Sequence, residues 1–244
     1  RGAPESLSAQ GAAAIQGTVT SAEEGKMEGV IVSARGADAN FTVSVVSDKS
    51  GKYSIPRSHL PAGDYTLKIR AAGYDLDGAG TVDVSGSKTA NADLKLVKAK
   101  DVAAQLSNSE WLMSMPGTYE QKDQLLNCVQ CHTLERLVRS KHTPEEWLKV
   151  MERMGTYANQ STPLKVQKRK GERLFEERGA AREAARLKRA QFLASINQVN
   201  GPWSYELKTL PRLKGKSDKI LITEYDLPRR TIQPHDVILD RDGM

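Results

Sequence analysis

Two cysteines and a histidine stand together in the run Asn127-Cys128-Val129-Gln130-Cys131-His132. Thiols three positions apart, with an imidazole directly after the second, suit covalent attachment of haem. The two sulfurs reach the two vinyl groups of one porphyrin and form thioethers, and the next residue lies under the iron as its proximal ligand. Cys128 and Cys131 are the only cysteines of the 244-residue chain, so this use leaves no thiol over. Two other chemistries share these residue types. Cys128, Cys131, His132 and His142 supply four zinc ligands on paper, but structural zinc ordinarily uses a second tightly spaced pair, which is missing. A redox dithiol needs a strand-helix-strand context, whereas the flanks here read as helical. One covalent haem c is the expectation.

An iron held by His132 has a sixth position. Thr143-Pro144-Glu145-Glu146 has the form of a helix start: a threonine cap, proline in the first turn, and glutamate three residues on. The predicted helix runs through Trp147, Leu148, Val150, Met151 and Met154 to Gly155. Trp147, Met151 and Met154 fall at i, i+4 and i+7 and share one face. Such a stripe is ordinarily core, but beside a haem one thioether aimed at the iron becomes its natural use. Met154 is the expected distal ligand, with Met151 and His142 as alternatives and Met113 and Met115 behind them. Methionine would raise the reduction potential and a second histidine would lower it.

Helices must carry these groups. The sequence predicts a short helix from Ser109 to Met115 and another from Gln121 to Asn127 leading into the cysteines. Leu134, Leu137 and Val138 follow on one face and can cover a porphyrin. A long helix over 179–196 presents Leu187, Ala190 and Leu193 as a narrow stripe, the rest being largely arginine and lysine. With Cys-x-x-Cys-His, the later Trp147-to-Met154 pattern and this terminal helix, residues 99–200 resemble a class-I-like monohaem cytochrome c domain. The resemblance implies a mainly α fold and one-electron transfer.

The first hundred residues read differently. Ile15, Gly17 and Val19 alternate with polar residues, as do Tyr65, Leu67 and Ile69, which is strand patterning with one buried face. Asp48-Lys49-Ser50-Gly51-Lys52 and Pro61-Ala62-Gly63-Asp64 are turn chemistry. Seven strands fit, at roughly 14–20, 29–35, 41–47, 51–56, 63–71, 79–84 and 89–96. The ordered elements IQGTVT, EGVIVSARG and SDKSGKYSIPRSHLPAGDYTLKIRAAGY resemble the carboxypeptidase regulatory-like domain, a transthyretin-like all-β sandwich of seven strands, over 14–98. The resemblance implies a fold rather than a chemistry, in a module that serves exported proteins for binding or spacing. A carbohydrate or protein is then its expected ligand. Tyr53, Tyr65 and Tyr74 could form a sugar platform but read better as core and turn residues. His59 has no partner in sequence and reads as structural.

Composition and charge bound the rest. Apolar residues make up 39% and charged residues 27%, which is globular protein. No apolar run approaches the roughly 18 residues of a bilayer span. Residues 1–13 form an N-terminal extension without the pattern of a leader. Bacterial haem attachment to this motif takes place outside the cytoplasmic membrane, so a cleaved signal peptide and a periplasmic location are expected. The net charge of +6 is uneven: residues 160–216 hold 14 basic against 5 acidic side chains. With sparse aromatics (Phe175, Phe192, Trp203, Tyr205) and no nucleic-acid motif, this region is either a solvated helical face or a dock for an acidic redox protein. No nucleophile-base pair or paired carboxylates mark an enzyme.

Residues 201–244 read as an extended linker, marked by Pro202, Pro211, Gly215 and Pro228, followed by ILITEYDLP and PHDVILDRDG. These two phrases are similar to the opening of a streptogramin B lyase-like propeller, though a propeller needs several blades of about 40 residues. His235 reads as part of a strand-turn rather than a base. The alternatives to electron transfer are therefore the haem-bearing N-terminal part of a larger lyase-like enzyme, or a haem protein with an open sixth position that binds a small ligand.

Overall fold

The computed structural model describes residues 12–158, 161, 165–169, 179–197 and 205–227. They fall into two compact units, Arg1–Ala99 with Arg212–Met244 in one and Lys100–Pro211 in the other. Among the described residues no helix is long and apolar enough to cross a membrane.

The first unit is a sandwich of β1 (Ala13–Ser21), β2 (Gly25–Lys26), β3 (Ile31–Gly36), β4 (Phe41–Val46), β5 (Lys52–Pro56), β6 (Gly63–Arg70), β7 (Tyr74–Leu76), β8 (Thr81–Val84), β9 (Ala90–Asn91), β10 (Leu94–Lys98) and β11 (Leu221–Tyr225). One sheet centres on β1, which pairs antiparallel with β2 and β5 and parallel with β9 and β10, with β7 beyond β10. The other runs β11-β4-β3-β6-β8, antiparallel throughout. Ile15, Val19, Val32, Val43, Ile55, Leu67 and Leu96 point inward from their strands and are buried in one core. Each contributes about 1.5–3 kcal/mol on the area scale.

Gly51 closes the β-turn before β5 at φ 72°. Asp48 Oδ1 braces that turn, accepting from the amides of Ser50 and Lys52 at 2.7 and 3.0 Å. Gly17 answers a different need, since a Cβ there would stand 1.9 Å from the Ala92 carbonyl oxygen.

The seven expected strands are present, with additions. The predicted strand 89–96 is broken into β9 and β10, because Asp93 turns its side chain onto the β1 backbone: Oδ1 accepts from Thr18 N at 2.8 Å. Beside it the Ala92 carbonyl accepts from the Tyr53 hydroxyl at 2.6 Å. The short strands β2 and β7 carry too few residues to show a period.

The stretch Leu221–Tyr225, expected to open a propeller blade, is a strand whose partner is the sandwich. It lies antiparallel on β4, with Leu221 opposite Val45 and Tyr225 opposite Phe41. Leu221 packs against the sandwich core. Arg212 pairs with Glu24, and the Gly215 amide donates to Glu28 at 3.3 Å.

The second unit holds α1 (Asn108–Ser114), α2 (Tyr119–Asp123), α3 (Glu135–Val138), α4 (Pro144–Gly155) and α5 (Ala180–Ser195). Three capping boxes start helices, Ser107 with Glu110, Thr118 with Gln121 and Thr143 with Glu146. Each cap contributes about 1 kcal/mol. Trp111, Leu125, Leu134, Val138, Trp147, Leu193 and Ile196 share one core.

This unit runs to Pro211, past the expected boundary at 200. The reason is hydrogen bonding by buried polar groups of α1: Ser114 Oγ accepts from Lys208 N at 2.7 Å, and Glu110 Oε1 from Leu210 N at 2.9 Å. Most of the N-terminal extension, Phe175, Pro202, Trp203, Pro228, His235 and the phrase over 234–243 lie outside the described residues.

Candidate functional site

α2 passes into a 3-10 turn, Gln124–Asn127, that ends on Cys128. Cys128 N donates to the Leu125 carbonyl at 2.8 Å and Cys131 N to the Cys128 carbonyl at 3.4 Å, so the two thiols ride on consecutive tight turns. Both are free and half-buried. Cys128 packs against the helical core, and that burial pushes its thiol pKa up, opposed by the positive charge of Arg189. Arg189 itself donates through Nε to Gln124 Oε1 at 2.7 Å, tying α5 to the turn that positions Cys128.

His132 Nδ1 lies 3.0 Å from the Thr133 carbonyl oxygen. A carbonyl only accepts, so Nδ1 carries the proton and the Nε2 lone pair is left for a ligand. Next, Leu134 N donates to Asn108 Oδ1 at 2.9 Å. Leu134, Leu137 and Val138 are all buried, on the face the sequence predicts.

α4 begins at the predicted cap and buries Trp147. Leu148, Val150 and Met151 pack against the same cluster as Cys128. Met154 is half-buried one turn further on, so of the two helix methionines it is Met151 that the packing brings to the cysteine's cluster. Met115 is fully buried in that cluster and Met113 is exposed. His142 lies 3.8 Å from Glu146 and edge-on to Trp147, ring centroids 5.1 Å apart. Among the described residues no three His, Cys, Asp or Glu side chains gather into a cluster that could hold a metal ion, so the four zinc ligands drawn from the sequence are not brought together.

The residues fit a covalent haem. Two free thiols stand three positions apart along consecutive turns, Nδ1 of the imidazole that follows lies against the Thr133 carbonyl, and Cys128 packs against the apolar helical cluster. Trp147 Nε1 and Ser140 Oγ are buried donors with no hydrogen-bond partner among the described residues. The sequence did not point to Thr133, Arg189 or Gln124. A backbone carbonyl leaves no sequence signal, and the other two meet only through the fold.

In the sandwich, Tyr53 and Tyr65 are buried, their hydroxyls donating to the carbonyls of Ala92 and Pro61, and Tyr74 donates to Glu24 at 2.8 Å. His59 is exposed in a 3-10 turn, Arg57–His59. Residues 14–97 match the carboxypeptidase regulatory-like domain.

That domain thus takes in the strands from β1 to β10 and stops short of the helical unit. Comparison with curated proteins finds no match. Among solved structures, the TIE protein of Bacillus anthracis is 20% identical with a TM-score of 0.30, over 36% of this chain and 16% of that one. A streptococcal ancillary pilin is 16% identical with a TM-score of 0.30, over 34% of this chain and 31% of its own. The pilus 2b backbone protein of group B streptococcus is 16% identical with a TM-score of 0.29, over 36% and 42%. The chain covers less than half the length of each of these structures.

Proposed function

We propose that this chain is an exported c-type cytochrome that passes single electrons to and from an acidic redox protein. In this reading Cys128 and Cys131 hold one haem, His132 is its proximal ligand and Met154 its distal ligand. The observation that carries it is His132, its Nδ1 held by the Thr133 carbonyl, directly after two free thiols on consecutive turns. When bound, the haem supplies a one-electron iron couple.

The chain's own residues do the rest. Cys128 and Cys131 would hold the group as thioethers, each S–H being taken up whole by one vinyl group so that nothing leaves. The Thr133 carbonyl orients the imidazole. Leu134, Leu137, Val138 and Trp147 belong to the buried apolar cluster against which Cys128 packs. Met151 and His142 remain alternatives to Met154, and the packing of Met151 favours it over His142. The basic 160–216 region speeds encounter with an acidic partner. In this reading the chain is periplasmic, with the carboxypeptidase regulatory-like domain as an accessory module for a carbohydrate or protein ligand.

A second reading keeps the haem but leaves its sixth position open to a small ligand, alone or as part of a longer propeller enzyme.

The test is the visible spectrum of protein made in a periplasmic host, oxidised and then reduced. A sharp reduced α band that survives acid-acetone extraction supports covalent haem. The weak long-wavelength band of methionine-ligated ferric haem then supports electron transfer, and carbon monoxide binding supports the second reading. A colourless protein overturns both.

A further inference from the structure

Between α5 and the turn that leads into Cys128 lies a groove of about 400 Å3, lined among others by Gln121, Gln124, Lys188, Arg189, Gln191 and Ser195. Among the described residues no acidic side chain lines it. Two of its glutamines have their oxygens already engaged. Gln121 Oε1 accepts from Thr118 N at 2.8 Å, and Gln124 Oε1 accepts from Arg189 Nε at 2.7 Å. Each carboxamide is therefore oriented by its oxygen, and what it has left to offer is its NH2 group. Arg189, with Nε occupied, keeps the four N–H bonds of its two terminal nitrogens, and Lys188 adds three more donors and a second positive charge. Neither cation has a carboxylate partner among the described residues. The Ser195 hydroxyl donates to the Phe192 carbonyl at 2.7 Å.

What remains in the groove is thus two positive charges and a surplus of N–H donors. That inventory is unsatisfied by a neutral ligand and repels a cation. It matches an oxyanion, to which arginine and lysine make short charge-assisted hydrogen bonds. We propose that this groove binds a small dianion with an oxyanion head, of the phosphomonoester class, with Lys188 and Arg189 neutralising the charge and the carboxamides of Gln121 and Gln124 donating to its oxygens. None of these residues is among the thiols, imidazole and thioethers that the haem reading uses.

Calorimetric titration of the whole chain with inorganic phosphate and with glycerol 2-phosphate, at low ionic strength, tests it. Both probes should bind one to one, and Lys188→Gln should weaken binding about tenfold. Arg189→Gln should do at least the same, but it also removes the contact to Gln124; the lysine variant leaves that contact in place and guards against misfolding as the cause. Lys141→Gln with Lys149→Gln removes charge elsewhere on the helical unit and should change affinity less than twofold. Equal weakening by the control pair would overturn the site in favour of net charge, as would the absence of binding by either probe. A hexaglutamate peptide that binds while both phosphates do not would overturn it in favour of a protein dock. Repeating the titration on Cys128→Ser with Cys131→Ser should give the same affinity, so the outcome stands apart from that of the spectrum.

Discussion

The guanidinium of Arg35 and the carboxylate of Asp226, 191 positions apart in the chain, meet edge to edge at 3.1 and 2.5 Å. The pair stands at the end of the β4–β11 ladder, where the Asp226 amide also donates to the Asn40 carbonyl at 2.7 Å. The rings of Phe41 and Tyr225 lie 6.1 Å apart just before it. Both charged side chains are about half exposed, so the contact sets register more than it adds stability. A one-residue slip of β11 would turn Leu221 outward and separate the pair.

Acid should loosen this closure. The hydrogen bond from Arg35 holds the Asp226 carboxyl below its ordinary range, and Arg212, with Tyr74 assisting, does the same for Glu24. A carboxylate whose folded pKa is lowered stabilises the fold above its unfolded value and loses that contribution as pH falls through the folded one. Amide exchange over 221–225 should be steady from about pH 7 to 5 and grow relative to that of β1 below about pH 4, the ordinary carboxylate range. In Asp226→Asn the β11 amides should be more open at every pH and their acid response smaller. Tighter protection of β11 on acidification would contradict the assignment.

Two glycines of the sandwich should respond very differently to alanine. Gly17→Ala drives a methyl into the Ala92 carbonyl, which the β1–β9 pairing prevents from moving away. A loss of about 3 kcal/mol or more, at the upper end for single substitutions, is expected in urea unfolding. Gly25 is at φ 69° with nothing within 4 Å of the place a methyl would take, so Gly25→Ala meets only backbone strain of about 1 kcal/mol. Similar losses at the two positions would mean that β9 does not lie against β1.

The haem reading separates the roles of single residues. Cys128→Ser or Cys131→Ser should each leave one thioether and shift the reduced α band, and the double substitution should release haem to acid-acetone. His132→Ala should keep haem on a denaturing gel yet lose the low-spin spectrum. Met154→Leu should abolish the long-wavelength ferric band while Met151→Leu preserves it; the reverse result would move the distal ligand to the methionine that packs with Cys128.

Salt should act on the partner reaction and not on the iron. Raising ionic strength from about 0.01 to 0.15 M shortens the screening length from about 30 to 8 Å. Stopped-flow electron exchange with an acidic redox protein should slow severalfold over that range, while exchange with a neutral small reductant stays constant. A salt-independent protein reaction would remove the basic region from docking.

Much of the sandwich was legible because its cues are local. Alternation at Ile15-Gly17-Val19 and the Asp48-to-Gly51 turn each act within a few residues. The break between β9 and β10 was not legible, since it depends on Asp93 reaching a strand 75 positions earlier. The helix caps at Thr143 and the end at Gly155 were readable for the same local reason. The strand at 221–225 was visible as a strand, but its partner was not, because period-two patterning says which face is apolar and nothing about whose core it joins. At the site, Cys128, Cys131 and His132 announce themselves by spacing. Arg189 and Gln124 do not, because 65 positions separate them in sequence.

The helical residues interrupt a single sandwich, entering after β10 and returning before β11. A protease that cut once inside Lys100–Pro211 would therefore sever the covalent chain without freeing the strand that follows. The downstream piece would stay clipped to β4 through the Leu221–Tyr225 ladder and the Arg35 clasp, and would part from its other half only on denaturation. Nicked and intact molecules should run together on a sizing column and separate only on a denaturing gel.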